Sequence, residues 1–176
     1  VERLKKKYGL TVRWTHFPLH PETPDSGIPL EELFRGRGYD IQSMKQRMSA
    51  LMTEENLAYG NRSHTYNSRL AQELSKWGES FPEREALNQK LFEAYFVEGR
   101  NLAEPDVLLA VAEATGLSRK AAEGGIRERR FRNAVDADWR RAHELGVTGV
   151  PTFVSGNRGL VGAQPYEALE QLIQMD

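Results

Sequence analysis

Gly146-Val147-Thr148-Gly149-Val150-Pro151-Thr152-Phe153-Val154 is the stretch on which the fold turns. Thr152 to Val154 is β-branched and aromatic, which suits a short strand. Pro151 stands where that strand begins, and proline has no N–H to give a sheet ladder. Gly146 and Gly149 supply the backbone freedom that a loop needs before such a strand. On these residues alone two readings stay open. One is a trans-proline opening an edge strand; the other is a cis-proline in a tight reversal, an isomer found at only ~5–6% of X-Pro bonds. Downstream, Ser155-Gly156-Asn157 turns the chain, Leu160-Val161 returns it, and Pro165 opens a last helix with Tyr166, Leu169, Leu172 and Ile173 on one face.

Upstream the period is helical from about residue 29 to 145. Ile41, Met44, Met48 and Leu51 form an apolar stripe entered at the N-cap candidate Asp40. Leu70, Leu74 and Trp77 form a second, with Asn67 as its cap. Leu87, Leu91, Tyr95 and Phe96 form a third, with Pro82 in its first turn. Val107 to Ala114 is apolar nearly all round and is expected to be buried. Ser118 to Glu128 and Asn133 to Leu145 complete the series, the last carrying Val135, Trp139 and Ala142 inward. Nearer the start, Val1, Leu4 and Tyr8 recur at helical spacing, with Lys5, Lys6 and Lys7 ahead of Gly9 as a stop signal. Thr11 to Phe17 is rich in β-branched and aromatic residues and reads as a strand. Pro18, Pro21, Pro24 and Gly27 then interrupt regular structure. A strand, a long helical stretch, a hairpin and a terminal helix describe an α/β architecture with a helical insertion.

Bulk properties narrow the chemistry. A chain of 176 residues is long enough to bury one sizeable core. Its 24 Lys and Arg against 25 Asp and Glu leave a formal charge of -1, which gives no electrostatic case for nucleic acid or an anionic membrane. The longest apolar run, around Val107 to Ala112, is too short to span a bilayer. With no cysteine, these residues supply no disulfide framework, thiolate metal cage or thiol nucleophile.

The loop Gly146 to Val154, followed by Leu160-Val161-Gly162-Ala163-Gln164-Pro165, resembles the C-terminal signature of the DsbA-like thioredoxin-fold family, most closely its FrnE-type branch. Trp14-Thr15-His16-Phe17-Pro18-Leu19-His20-Pro21 is similar to that branch's second strand and exit. Asn67-Ser68 with Leu70, and Phe92-Glu93-Ala94-Tyr95-Phe96 with Gly99, resemble its helical insertion. The resemblance implies a thioredoxin-like fold with a helical subdomain inserted after the second strand. Residues 1–28 would be the first thioredoxin part, 29–132 the insertion, and 133–176 the second part with a cis-proline loop.

It implies an enzyme as well, a protein thiol–disulfide oxidoreductase or isomerase. Its Cys-x-x-Cys pair and first strand are expected upstream of Val1, so no catalytic residue lies within these residues. Gly149, Val150 and Pro151 take the substrate-binding role. The implied partners are thiol- or disulfide-containing proteins or peptides, with glutathione as a small thiol. No cofactor, metal, nucleic acid or membrane enters, and the branch points to the cytoplasm. Two alternatives share the fold: a kappa-type glutathione transferase or hydroxychromene-carboxylate isomerase, with a serine heading the first helix, and a redox-inactive peptide-binding module.

The remaining candidates read as ordinary structure. His16 and His20 would share a strand face only if the strand ran through Pro18, and no cysteine or carboxylate cluster completes a site. His64 sits in a polar loop and His143 on a solvated helix face. Arg127, Arg129, Arg130 and Arg132 are diluted by Glu128, Asp136 and Asp138 and read as a solvated face. Gly124-Gly125 lacks phosphate-loop spacing. Trp77 reads as core, whereas Tyr59 and Tyr66 are open between core and a cleft lining.

Overall fold

The computed structural model describes residues 1–174. In chain order the elements are α1 (Glu2–Tyr8), β1 (Ile28–Pro29), α2 (Leu30–Leu33), α3 (Ile41–Glu54), β2 (His64–Thr65), α4 (Arg69–Gly78) and α5 (Arg84–Phe92). A π-helical turn (Glu93–Val97) leads to α6 (Pro105–Ala114), α7 (Arg119–Arg127), α8 (Arg132–Glu144), β3 (Thr152–Ser155), β4 (Arg158–Val161) and α9 (Tyr166–Gln174). The chain divides into two compact units, His20–Val135 and a second made of Val1–Leu19 with the chain from Asp136 onward. The two units meet at residues 20 and 136. The segment after His20 goes with the helical unit because Asn67 Nδ2 donates to the Pro21 and Thr23 carbonyls, and Asn101 Nδ2 donates to that of Asp25.

Within the helical unit, α4 packs against α5, α6 and α7. Leu74, Leu87, Leu91, Leu108, Ala112 and Ile126 belong to its buried core. α6 is buried as its sequence demands, with Val107, Leu108, Leu109, Val111 and Ala112 all inside. Trp77 is core and meets Phe81 at 4.7 Å between ring centroids. α3 forms as expected, its N-cap Asp40 accepting from the Gln42 and Ser43 N–H groups. None of its residues is buried. Pro82 lies outside α5, two residues before Arg84. Ser68, not Asn67, is the N-cap of α4; Asn67 Oδ1 instead accepts from the Arg69 N–H at 2.9 Å.

Three features depart from the sequence reading. Thr11 to Phe17 forms no strand. The two sheets among the described residues are the antiparallel pairs β1–β2 and β3–β4, and neither includes it. β-Branched composition marks a segment that suits a sheet, but a strand exists only where a ladder partner takes its N–H and C=O groups. The tiny β1–β2 pair is the second departure: Ile28 faces Thr65 and Pro29 faces His64. Third, regular α-helix gives way after Phe92 to the π-helical turn, in which Glu98 N–H reaches the Glu93 carbonyl at 3.0 Å. The Phe96 carbonyl there accepts from Gly60 N–H at 2.9 Å. A Cβ at position 60 would overlap the Val97 carbonyl, so only glycine lets these backbones approach.

The arginine run is not wholly a solvated face. Glu73, only 3% exposed at its side chain, accepts from Arg129 Nε at 2.8 Å, Arg129 Nη2 at 2.7 Å and Arg69 Nε at 2.8 Å. Burial would raise its carboxyl, but the hydrogen bonds from Arg129 and Arg69 outweigh that and hold it below the usual range. Arg129 stands at φ 51, one residue past the C-cap Glu128, with its N–H on the Ile126 carbonyl and that of Arg130 on Gly125. This is the helix-ending position that glycine usually fills. Here the side chain is needed for Glu73, so the strained backbone is retained. Replacing Arg129 with Gly relieves the backbone yet strips two charge-assisted bonds from a buried carboxylate. We expect Arg129→Gly to destabilise by about 1–2 kcal/mol in urea unfolding, below the full cost of a broken buried pair because Arg69 remains. Unchanged or increased stability would show that backbone relief dominates.

Candidate functional site

The loop before β3 is built from both ends by backbone hydrogen bonds. α8 stops at Gly146, whose φ of 68 lets its N–H reach the His143 carbonyl at 2.9 Å while Val147 N–H reaches that of Ala142 at 3.0 Å. On the far side, the Pro151 carbonyl accepts from Gly162 N–H at 2.7 Å. Thr152 Oγ1 folds back to donate to the Gly149 carbonyl at 2.6 Å. The hairpin then pairs Thr152 with Val161 and Ser155 with Arg158.

Between these anchors the Val150–Pro151 peptide bond is cis. The Val150 side of the loop projects, with that residue 48% exposed. Among the described residues, neither the N–H nor the carbonyl of Val150 has a hydrogen-bond partner. Gly149, Val150 and Pro151 form a bend in which the Gly149 and Pro151 carbonyls are already bonded and Val150 alone keeps both its donor and its acceptor open.

α9 packs against β3 and β4, and is tied to α1 by one carboxylate. Glu170 Oε1 accepts from Lys7 Nζ at 2.8 Å, Tyr8 Oη at 2.8 Å and Tyr166 Oη at 2.9 Å. Gln174 Nε2 donates to Tyr8 Oη at 2.7 Å, and the Arg3 guanidinium lies 4.2 Å from the centre of the Tyr166 ring. Lys7, Tyr8 and Tyr166, by hydrogen bonding the charged form, hold the Glu170 carboxyl down at about 2. Lys7 and Glu170 are 163 positions apart, so local spacing gave no sign of the cluster.

The other sequence candidates do not gather here. His16 gives its backbone N–H to the buried Asp138 carboxylate at 3.2 Å, while His20 Nδ1 lies 3.7 Å from Glu22 and falls in the other unit. His64 Nδ1 lies 2.8 Å from Ser63 Oγ and its ring stacks on Tyr66, so it is half-buried structure rather than a solvated turn. His143 is exposed on α8. Gly125 sits against Trp77, which fits close packing of α7 on α4 and not phosphate binding.

The DSBA-like thioredoxin domain family matches residues 1–174. The chain belongs to that family. A crystal structure of a probable DsbA oxidoreductase from Streptomyces coelicolor superposes with a TM-score of 0.79 at 26% identity, over 88% of this chain and 70% of that one. A 2-hydroxychromene-2-carboxylate isomerase shares the fold, with a TM-score of 0.71 at 21% identity over 99% of this chain and 85% of its own. The uncharacterized protein YwbO of Bacillus subtilis is 25% identical over 175 residues, 98% of this chain and 84% of YwbO. Among the described residues no helix is long and apolar enough to cross a membrane.

The low Glu170 carboxyl fixes the sign of its pH dependence. Its contribution is complete above the ordinary carboxylate value of 4.5 and is lost as pH falls toward about 2. We expect the melting temperature to drop more steeply between those limits in the wild type than in Glu170→Gln, as followed by circular dichroism. Parallel profiles would assign the acid sensitivity elsewhere.

Proposed function

We propose that this chain is the substrate-facing portion of a protein thiol–disulfide oxidoreductase or isomerase. The observation that carries the reading is the braced loop with an unoccupied Val150 backbone, found in a chain of the DSBA-like family. In this role an extended polypeptide lays its own N–H and C=O against Gly149-Val150, as a strand added to an edge. Recognition through backbone accepts many sequences, which suits an enzyme acting on varied thiol- or disulfide-containing proteins and peptides. Glutathione fits the same slot as a short peptide thiol. Because the chain has no cysteine, the proposal requires an exchanging pair from outside these residues, expected ahead of Val1. A cysteine pair at a helix N-terminus there gains nucleophilicity from the local field. Pro151 adds no competing N–H donor beside it. The cytoplasm is the compartment that the FrnE-type resemblance favours.

Two measurements test the proposal. Sequencing and intact mass of the protein upstream of Val1 should reveal Cys-x-x-Cys, and that protein should reduce or reoxidise a test disulfide. A serine at the first position redirects the reading to glutathione-dependent small-molecule chemistry, and the absence of both to a binding module. Within the described loop, Val150→Thr keeps the backbone donor and should leave exchange within about twofold. Val150→Pro deletes the donor and should slow exchange of a peptide disulfide by about tenfold, the cost of one substrate hydrogen bond. Equal rates for the two variants, both folded by circular dichroism, would remove Val150 from substrate recognition.

A further inference from the structure

α3 is amphipathic, and among the described residues no helix or strand packs closely on its apolar side, none of whose residues is buried. Ile41, Met44, Met48 and Leu51 recur at spacings of three and four, so they share one face over three turns. Met44 is 41% exposed, Met48 43% and Leu51 40%. Tyr39 before the helix and Leu57 after it are exposed as well. Three of the four methionines in the chain, Met44, Met48 and Met52, lie on this helix. Flexible thioethers on an exposed face suit a contact that packs against another surface.

The flanking charges identify that surface. Arg47 and Glu54 are seven residues apart, two turns along the same edge of the stripe. Among the described residues neither has an ion-pair partner. Laid antiparallel against an identical helix, with Met48 opposite Leu51 of the other copy, each Arg47 falls beside the other's Glu54. The two-fold makes both pairs at once, and the stripe closes Met44, Met48 and Leu51 between them. In a parallel pairing the two copies of this edge would lie on opposite sides of the seam, and Arg47 would not meet Glu54 at all.

We propose that α3 is a self-association surface, joining two copies of this chain in an antiparallel helix pair. A 14-residue helix is ~21 Å long, so the seam falls at the small end of protein interfaces, below ~1,200 Å². The association is therefore reversible and concentration-dependent.

Sedimentation of the full chain across the micromolar to millimolar range tests it. The wild type should move from monomer to dimer, and Met48→Glu should abolish the shift. Arg47→Glu and Glu54→Arg should each weaken self-association at least about tenfold. An equimolar mixture of these two variants should recover it, because each introduced charge meets an opposite one in the mixed pair. A wild type that stays monomeric, a dimer indifferent to Met48→Glu, or a mixture no stronger than its components would each overturn the proposal. So would protection of Met44 and Met48 from oxidation by an added unfolded polypeptide, with no dimer formed. If a charge variant loses helix, the wild type decides: methionine protection must rise with its own concentration, and constant protection overturns the assignment.

Discussion

A carboxylate withdrawn from water must be answered by charge, and Glu73 on α4 is answered by Arg69 from its own helix and Arg129 from beyond α7. The requirement reaches outward in steps. It holds Arg129 at positive φ, which turns the chain sharply after α7. Arg69 also donates from Nη2 to the Arg132 carbonyl at 2.9 Å, fixing the residue where α8 begins. α8 in turn ends on Gly146 and delivers the loop that carries Val150 and Pro151. Within the helical unit, the first residue of α8 is thus tied to the same ion pair.

The site itself needs little chemistry of its own. Its loop is stabilised by main-chain bonds at Gly146, Val147, Pro151 and Gly162, with one hydroxyl bond from Thr152. Its path rests on glycines at positive φ, Gly146 and Gly162, more than on side-chain contacts. The helix behind the hairpin is secured separately, through Glu170 and two tyrosines on α1 and α9. In the proposed role, a partner would meet a loop already braced by these bonds, which limits the entropy lost in recognition.

Much of this was legible in the residues because it is local. The stop at Gly146, the turn at Ser155–Asn157, the start of α9 after Pro165 and the burial of α6 follow from short-range rules. What failed was what depends on distant partners. Thr11–Phe17 has strand composition, yet composition does not supply a ladder. The arginine run looked solvated because Glu73, 56 positions before Arg129, could not be paired with it by spacing. An arginine where a helix-ending glycine belongs was a signal, available only once the end of α7 was known. The period of α3 disclosed its apolar face but not whether anything in the chain covers it. Likewise, nothing in Glu93–Val97 announces a π-helical turn, whose Phe96 carbonyl meets the distant Gly60 N–H.

That last pairing has an evolutionary consequence. The absent side chain at position 60 and the carbonyl displayed at Val97 are two halves of one fit. Neither position is free to drift alone. A relative with any larger residue at the counterpart of Gly60 must have moved the 93–97 backbone away, and one that regularises that turn removes the reason for the glycine. Across diverged members of the family, the two sites should therefore change together or not at all.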